Sequence, residues 1–450
     1  MMNYNPKNYG GCADGLTVDT VAIQKAIDDC NKHGGGYVVL ENGTYVSGTI
    51  RLRSGVFLKI EVSSRLVASS DISDYPLDTH HNRYINERDM DPCFIFAEDA
   101  ENIGIVGYGE INGNSTAFPN KNSIYRPMLI RLLRCTNIHI NELRLYNSAA
   151  WTTAFLDCEN IWINGVDIRN EERYNGDGLD FDGCKNVFVS NCKIFGTDDN
   201  LCLQASSEKF PMQNVHITNC MFTSICAGIR IGLKSIGEIS GVVISNCTFK
   251  NVWREGVKIE CSEGGTISDI VISNLVMTNV TRPIFIILNN RFDIIGTSIE
   301  LEKMPKIGKM QRINISNVIA TDTLEMGNIH YRFSGDIMGS PSFNGIRVDA
   351  NSENPIENLT LSNITYTAFG GVKISDIPTE YPKIYDMRGV YPAKVSENYY
   401  PDWSRSTFID IRNVSGLCLE KVFLHAINKD EREDVIIENC KIFTDDIRII

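Results

Sequence analysis

Two short acidic segments of this sequence contain the residue types that acid and base catalysis requires. Residues 175–182 read NGDGLDFD, residues 196–200 read GTDDN, and Asp177 precedes Asp198 by 21 positions. Carboxylates held close together oppose joint ionisation, so one of them stays protonated beside an ionised neighbour. Cleavage of an acetal uses that combination, since an acid protonates the leaving oxygen while a base activates water. We therefore predict that Asp177, Asp198 and Asp199 are catalytic.

The same carboxylates permit two other interpretations. DG and DD are common dipeptides of polar turns, and a single motif of this kind is more often structural than catalytic. Three carboxylates can also bind a hard cation such as calcium. Two motifs at matching points of a repeat, each followed by an apolar strand, favour catalysis, and we expect no metal ion and no cofactor.

A repeat of β-strands determines where these segments lie. Alternating β-branched strings start 23 to 28 residues apart and occupy 137–141, 160–164, 186–192, 214–220, 241–247 and 269–275. Their period of two is typical of strands. A β unit of this length buries its apolar face only by stacking on its neighbours, which predicts an all-β fold, a single-stranded right-handed parallel β-helix. Stacked strands lie about 4.8 Å apart, so Asp177 and Asp198 are expected on neighbouring coils of one face.

Two residue types recur at one point of this repeat. The asparagines are Asn191, Asn219, Asn246 and Asn274, and the cysteines that follow three of them are Cys192, Cys220 and Cys247. We predict that the asparagines form a ladder inside one turn of the coil, amide over amide. The cysteines are predicted to be reduced and buried, because stacked positions of this kind suit small thiols. The 14 cysteines include no CxxC pair that would indicate a zinc site.

The repeat predicts one β-helix domain over residues 1–450, with an N-terminal cap over 1–36 and coils over 37–450. Within the cap, the segment 17–32 has apolar residues at helical spacing, namely Val21, Ile23, Ala26 and Ile27. A capping helix there would cover the open strand edge of the first coil.

The later copies of the repeat are separated by polar loop insertions near 290–310, 323–345 and 368–408. The last insertion is rich in aromatic residues, namely Tyr381, Tyr385, Tyr391, Tyr399, Tyr400 and Trp403. Aromatic side chains in a long loop beside a coil either stack on sugar rings or pack within the loop, and both interpretations remain open.

The composition argues against some classes of partner. The net charge is −13 and the pI is near 5.1, which argues against nucleic acid, because phosphate binding requires a basic face. An anionic sugar is compatible with this charge, since one local cation can hold a carboxylate. The sequence contains no run of 18 apolar residues, so no membrane span is predicted. Residues 1–6 lack the features of a signal peptide. We expect a cytoplasmic protein, or a secreted or periplasmic one if a leader is missing from this sequence.

The acidic segments resemble the motifs of glycoside hydrolase family 28, the polygalacturonase group. That family has the motifs NTD, DD, GHG and RIK in this order. Here NGDGLD at 175–180 resembles the first motif, with Gly176 in place of threonine, and GTDDNLCLQ at 196–204 resembles the second. The likeness extends over most of the chain and includes GYGEINGNS at 107–115 and NSAAW at 147–151.

The resemblance implies a pectin-lyase-like β-helix and an O-glycosyl hydrolase that inverts the anomeric configuration. It implies that Asp198 is the general acid, while Asp177 and Asp199 position and activate the attacking water. Coil spacing predicts carboxylates closer together than the roughly 6.5–9.5 Å usually associated with inversion. Inversion is therefore implied by the family alone.

Two departures from the family pattern concern substrate binding. Ala227 stands where GHG has histidine, and Lys258 and Glu260 stand where RIK has arginine and lysine. In the family these positions help to hold the carboxylate of a uronic acid, which Glu260 would repel while accepting hydrogen bonds from hydroxyls. We therefore predict a pectic or related oligo- or polysaccharide other than plain polygalacturonan as the substrate.

Four residues are predicted to bind this substrate, namely Asn175, Arg230, Lys258 and Glu260. Arg230 lies two positions after Gly228 in GIRIG, so both residues share one face of a strand and Arg230 would line the cleft. A salt bridge on the coil surface is the alternative role for Arg230.

Two other functions remain open at this stage. A β-helix polysaccharide lyase would use calcium and a basic residue to remove the proton next to a carboxylate. A non-catalytic β-helix, such as a carbohydrate-binding coil or a phage spike, would have no turnover to lose on substitution of Asp198.

Overall fold

The computed structural model describes residues 3–77, 92–120, 125–290, 306–322, 344–376, 384–386, 389–391 and 405–450. These residues contain one α-helix, α1 (Thr20–Lys32), and short 3-10 helices at Pro6–Tyr9, Ile72–Asp74, Ser115–Ala117 and Ile374–Asp376. None of the helices in these ranges has the length and apolar character to cross a bilayer.

The remaining regular structure of the described chain is β. The first strands are β1 (Asn3–Tyr4), β2 (Asp14–Val18), β3 (Gly36–Leu40), β4 (Gly43–Ser47), β5 (Ile50–Arg51), β6 (Val56–Ile60), β7 (Ser64–Ala68), β8 (Cys93–Glu98), β9 (Glu101–Gly107), β10 (Glu110–Asn112), β11 (Met128–Leu133), β12 (Thr136–Asn141), β13 (Arg144–Tyr146), β14 (Thr153–Leu156), β15 (Glu159–Asn164), β16 (Asp167–Arg169) and β17 (Leu179–Asp182). The later strands are β18 (Lys185–Ser190), β19 (Lys193–Gly196), β20 (Leu201–Ala205), β21 (Met212–Thr218), β22 (Met221–Ser224), β23 (Ile229–Ser235), β24 (Glu238–Cys261), β25 (Thr266–Leu288), β26 (Lys309–Thr321), β27 (Ile346–Asp349), β28 (Ile356–Gly370), β29 (Ile384–Asp386), β30 (Gly389–Tyr391), β31 (Ser406–Arg412), β32 (Val414–Asn428), β33 (Glu433–Glu438) and β34 (Lys441–Ile449).

The first compact unit comprises Met1–Leu201 and Gln213–Cys220. Its strands pair in parallel, each beside the equivalent strand of the next coil, along three tracks. One track runs β3-β6-β9-β12-β15-β18-β21. A second runs β2-β4-β7-β10-β13-β16-β19. The third runs β5-β8-β11-β14-β17.

The second compact unit comprises Cys202–Met212 and Met221–Ile450. It is built in the same way, with parallel tracks β24-β25-β26-β28-β32-β34 and β23-β24-β25-β27-β31-β33. The short pair β29 and β30 is antiparallel.

The core of each unit consists of apolar residues stacked in register. In the first unit, Ile138, Ile161, Val187 and Val215 occupy one point of four successive coils and are almost completely buried. Their next neighbours along the strands point outward and are His139, Trp162, Phe188 and His216, so the burial follows the period-two pattern of the repeat. The prediction of an all-β right-handed parallel β-helix with a capping helix is confirmed. The single-domain boundaries, 1–450, stay a prediction.

Helix α1 packs against the first strands of the chain, as a cap requires. Its buried residues are Ala22, Ile23, Ala26, Ile27 and Cys30. The assignment of Val21 to the apolar face was wrong, since this side chain is 65% exposed. The helix begins at Thr20, whereas Thr17 belongs to β2. The buried face of the helix includes Ala22 and Cys30 in place of Val21.

The predicted asparagine ladder is confirmed within each unit. In the first unit, the amide of Asn219 donates to Asn191, and in the second the amide of Asn274 donates to Asn246 at 3.0 Å. Asn317 and Asn363 extend the ladder of the second unit by two further coils. None of the 14 cysteines, all of which lie within the described residues, forms a disulfide, and 11 of them are buried, as the reduced-thiol prediction required.

A second asparagine ladder, which the sequence analysis did not single out, runs along the first unit. The amides of Asn137, Asn160, Asn186 and Asn214 each donate to the preceding member, the first of which is Asn102, at 2.9–3.1 Å. Each of the four donor residues has a positive φ of 56–59°. Asparagine suits this position because it tolerates the left-handed conformation while its amide bonds along the stack.

The predicted insertions at 290–310, 323–345 and 368–408 fall largely outside the described residues. The same holds for the side chains of the aromatic residues in the last insertion, so their role in sugar stacking stays a prediction.

Two replacements of one ladder asparagine should separate what its side-chain hydrogen bonds and its left-handed backbone conformation each contribute to the free energy of unfolding. We expect Asn186→Ala to lower the free energy of unfolding by about 2 kcal/mol, because it removes two amide hydrogen bonds and strains a left-handed residue. Asn186→Gly should cost about 1 kcal/mol, since glycine adopts this conformation without strain. Denaturant unfolding of both variants measures the difference, and equal losses would contradict the backbone contribution.

Candidate active site

The three predicted catalytic carboxylates come together in the first unit. Asp177 precedes β17, and Asp198 and Asp199 lie in the turn after β19. A carboxylate oxygen of Asp199 lies within 4.8 Å of one from Asp177 and within 4.8 Å of one from Asp198. All three residues are at most 3% exposed. The closeness expected from coil spacing is confirmed for the two pairs that include Asp199, while the catalytic roles stay predictions.

Backbone hydrogen bonds between two coils set this closeness. The amide of Gly178 donates to the carbonyl of Asp199 at 3.0 Å, and the amide of Leu179 donates to that of Asn200 at 2.9 Å. The carbonyl of Asp177 accepts from the amide and the hydroxyl of Thr152, at 3.0 and 2.7 Å. The main chain that carries the carboxylates is therefore held from both sides.

Asp198 accepts two hydrogen bonds through its carboxylate. The backbone amide of Asp199 donates to Oδ1 at 2.8 Å, and Nδ2 of Asn175 donates to Oδ2 at 3.3 Å. The structure thus places Asn175, which the sequence analysis assigned to substrate binding, directly against the predicted general acid. Its contact with substrate stays a prediction.

Gly176, which departs from the NTD motif, has a steric explanation. A Cβ at Gly176 would collide with Oγ1 of Thr197. That hydroxyl accepts from the amide of Gly176 at 3.0 Å and donates to the carbonyl of Arg173. The hydroxyl of Thr197, in the second acidic segment, therefore occupies the space that a side chain at position 176 would need.

The acidic group also contains donors that a hard cation accepts. The two close carboxylate pairs, Asp177 with Asp199 and Asp198 with Asp199, offer oxygen ligands. Calcium prefers about six to eight oxygens, so these pairs alone would supply a minority of its ligands. The chemistry of this donor set thus fits proton transfer better than a calcium site.

In the second unit, two residues predicted to bind substrate form an ion pair with each other. Nζ of Lys258 lies 3.2 Å from a carboxylate oxygen of Glu260 and 4.0 Å from one of Glu255. The negative charge of Glu260 is therefore compensated locally. Repulsion of a substrate carboxylate, expected from the sequence, is correspondingly weakened by this pairing.

Glu255 is the centre of a buried ion cluster that the sequence analysis missed. Its side chain is fully buried and lies 3.5 Å from Nε of Arg254 and 3.6 Å from Nη1 of Arg282. Lys258, Arg282 and a further residue, Arg347, lie 4.8–6.0 Å from the centre of the Phe285 ring. Strand register would have indicated this grouping, because Lys258 pairs with Phe285 and Phe285 with Arg347 on successive coils.

Arg230 occupies the same track, beside Lys258 in register. Its guanidinium donates to Sγ of Cys202 at 3.5 Å, and the residue is 6% exposed. Arg230 and Lys258 thus share the outer face of adjacent strands, as the alternation from Gly228 implied. Ala227, at the histidine position of the family, is fully buried.

Asp349 is an ionisable group of the second unit with an altered proton affinity. Burial raises the pKa of Asp349 to about 7, and Asp410 adds to the effect while Arg412 and Arg347 oppose it. The carboxylate lies 3.0 Å from Arg412. A carboxyl group on the strand of Arg347 therefore changes its charge near neutral pH.

The stacked coils and the clustered aspartates define a class, the right-handed parallel β-helix proteins with a buried group of carboxylates. Residues 52–300, more than half of the chain, match glycosyl hydrolases family 28. The chain belongs to this family, which confirms the resemblance seen at the two acidic segments.

Individual relatives are distant. A "Probable polygalacturonase" of Vitis vinifera is 29% identical over 217 residues, which cover 45% of this chain and 44% of the relative. An alpha-L-rhamnosidase of Aspergillus niger is 24% identical over 250 residues, 52% of this chain and 55% of the relative. The chain thus spans about half the length of the curated relatives it matches.

A solved structure supports the fold over almost the whole chain. The family 28 exopolygalacturonase of Yersinia enterocolitica superposes with a TM-score of 0.69 and 18% identity, covering 98% of this chain and 78% of that one. At this identity the likeness concerns the fold alone.

Removal of the buried charge of Glu255 should destabilise the second unit strongly. We expect Glu255→Gln to lower the free energy of unfolding by about 3 kcal/mol, because a neutral amide no longer compensates the buried guanidinium of Arg282. Asp269→Asn is the matched control, since Asp269 pairs at 2.6 Å with Arg312 but both are half exposed. This control should lose less than about 1 kcal/mol. Similar small losses in both variants, measured by denaturant unfolding, would contradict the role of Glu255.

Proposed function

We propose that this chain hydrolyses O-glycosidic bonds of a pectic or related glycan by acid and base catalysis. The observation that carries the proposal is the buried cluster of Asp177, Asp198 and Asp199 on adjacent coils, in which Asp199 has a carboxylate oxygen within 4.8 Å of one from each of the other two. Carboxylates in such proximity do not all ionise together, which supplies an acid and a base in one place. Membership of glycosyl hydrolases family 28 supports the same reaction class.

In the proposed reaction, Asp198 protonates the glycosidic oxygen as its bond to the anomeric carbon breaks. Asp177 and Asp199 orient a water molecule and remove its proton as its oxygen bonds to the anomeric carbon. Asp198 is left as a carboxylate, and the hydrogen bonds from Asn175 and from the amide of Asp199 stabilise that charge. Proton exchange with solvent then restores the starting state.

The proposed substrate is a pectic glycan other than plain polygalacturonan. The family positions for uronate binding are altered, since Ala227 replaces histidine and Lys258 is already paired with Glu260. The cations Arg230 and Lys258 lie on one outer face of the second unit and are compatible with binding of an acidic sugar. Relatives whose names include a polygalacturonase and an alpha-L-rhamnosidase indicate that related chains act on different pectic sugars.

The lyase alternative is less well supported by the described residues. A lyase needs a neutral base, whereas the ion pair with Glu260 favours the charged ammonium form of Lys258. The non-catalytic alternative offers no reason for three carboxylates to be buried side by side, which is costly without a chemical role.

A substrate panel tests the proposal. The protein should release reducing ends from at least one rhamnose-containing or other pectic oligosaccharide and from no plain polygalacturonan. Products should lack ultraviolet absorption, and a chelator should leave the rate unchanged. Asp198→Asn should lower turnover by about 10²- to 10⁴-fold, as expected for the loss of a general acid.

Each contrary result of this panel has a distinct meaning. Products that absorb in the ultraviolet would indicate a lyase, and binding without release from any glycan would indicate a non-catalytic protein. Release from plain polygalacturonan would contradict the proposed substrate and leave the proposed hydrolysis intact.

The stereochemistry can be measured separately. We expect inversion, as in the family, although the carboxylate oxygens lie closer than the roughly 6.5–9.5 Å usual for inverting enzymes. Proton NMR of the first-formed anomer during hydrolysis distinguishes the two outcomes. Initial accumulation of the retained anomer would refute inversion and make one of the three aspartates a nucleophile.

A further inference from the structure

We infer that Arg126 is a positioning residue for the proposed general acid. It orients the side-chain amide of Asn175, and that amide donates to Asp198. The inference rests on the proposed function, in which Asp198 delivers the proton to the leaving oxygen.

Arg126 is a buried cation whose hydrogen bonds converge on the loop before β17. The residue is 2% exposed and precedes β11. Its Nη1 donates to the carbonyls of Tyr174, Asn120 and Ala149, at 2.6, 3.1 and 3.4 Å. Its Nη2 donates to Oδ1 of Asn175 at 2.8 Å. One guanidinium thus links two other chain segments, at Asn120 and Ala149, to the segment of Asn175, which contacts Asp198.

The contact with Arg126 determines which way the amide of Asn175 faces. A guanidinium has donors and no acceptor, so the atom of Asn175 that faces it must be the carbonyl oxygen. The amino group is then directed to Asp198, where it donates to Oδ2 at 3.3 Å. Without Arg126, the amide can turn and present its oxygen to the carboxyl group.

The direction of this hydrogen bond matters for the chemistry of Asp198. An amino group that donates to the carboxyl stabilises the carboxylate and therefore favours release of the proton. An amide oxygen in the same place would accept from the protonated form and favour retention of the proton. Arg126 thereby acts on the acid through Asn175, at a distance from the reacting atoms.

Arg173 provides a matched control in the same loop. Its guanidinium donates to the carbonyls of Ser115, Phe118 and Thr116, at 2.9–3.2 Å. These bonds fix the same loop, through backbone atoms, to the segment that follows β10 two coils earlier. Loss of Arg173 therefore tests the structural effect of loosening the loop, while the contact between Arg126 and Asn175 is retained.

The experiment compares the pH dependence of turnover in variants. In Arg126→Met, we expect a turnover number about tenfold lower and an alkaline limb of the pH–rate profile shifted upward by roughly half to one pH unit. Asn175→Leu should shift the limb by a similar amount, and the double variant should show no further shift, because both changes break one chain of contacts. Arg173→Met should lower the thermal midpoint and leave the limb in place. Arg126→Lys serves if the methionine variant does not fold.

Two results would overturn the inference while the proposed function stands. One is an Arg126 variant with lower turnover or stability but an unmoved alkaline limb. The other is a double variant whose shift equals the sum of the single shifts. If the unmodified protein shows no more turnover than the Asp198→Asn variant, the proposed function on which the inference rests is refuted instead.

Discussion

Backbone register between adjacent coils is the constraint on which the rest of this structure depends. Parallel strands place a residue almost directly over its equivalent one coil earlier, at a strand spacing of about 4.8 Å. The bond from the amide of Gly178 to the carbonyl of Asp199 is one instance, and it brings Asp177 to the acidic pair of the next coil. The separation of the carboxylates is thus inherited from the backbone ladder. The same register stacks asparagine on asparagine, so one constraint produces both the site and the support around it.

Buried charge is the second constraint, and each unit meets it with residues from several coils. In the first unit Arg126 reaches four acceptors, three of them main-chain carbonyls from separate segments. In the second unit Glu255 is surrounded by cations, with Arg282 on the next coil in register. Transfer of such groups from water is costly unless hydrogen bonds and counter-charges replace the lost hydration. Residues that satisfy a buried charge are therefore held in place, and this rigidity is what orients their neighbours.

The sequence predicted which residues lie close together where the repeat applies, because residues about one coil apart in the chain are stacked on neighbouring coils. Asp177 and Asp198 were found in this way, because their separation is close to one coil. Arg126 was not, since it precedes β11, belongs to no copy of the repeat, and contacts Asn175 across 49 positions. Arg347 was missed because an insertion separates its strand from that of Phe285. Thr197 and Gly176 are both apparent in the sequence, but the relation between them is not. It is a steric contact between a Cβ at position 176 and the hydroxyl of Thr197, and the spacing of residues along the chain does not predict such a contact.

The altered family motifs acquire a physical meaning from their partners. Taken alone, a glutamate at the lysine position of RIK suggests a site that repels acids. Its ion pair with Lys258 shows instead that the two residues neutralise each other, so neither contributes a full charge to a ligand. An acidic substrate would then have to be recognised by other cations, and both Arg230 and Arg347 share the outer face of Lys258 in strand register. A neutral residue in place of Glu260 would remove one negative charge and leave Lys258 with Glu255 as a partner at 4.0 Å, so this change alone would make the face more positive.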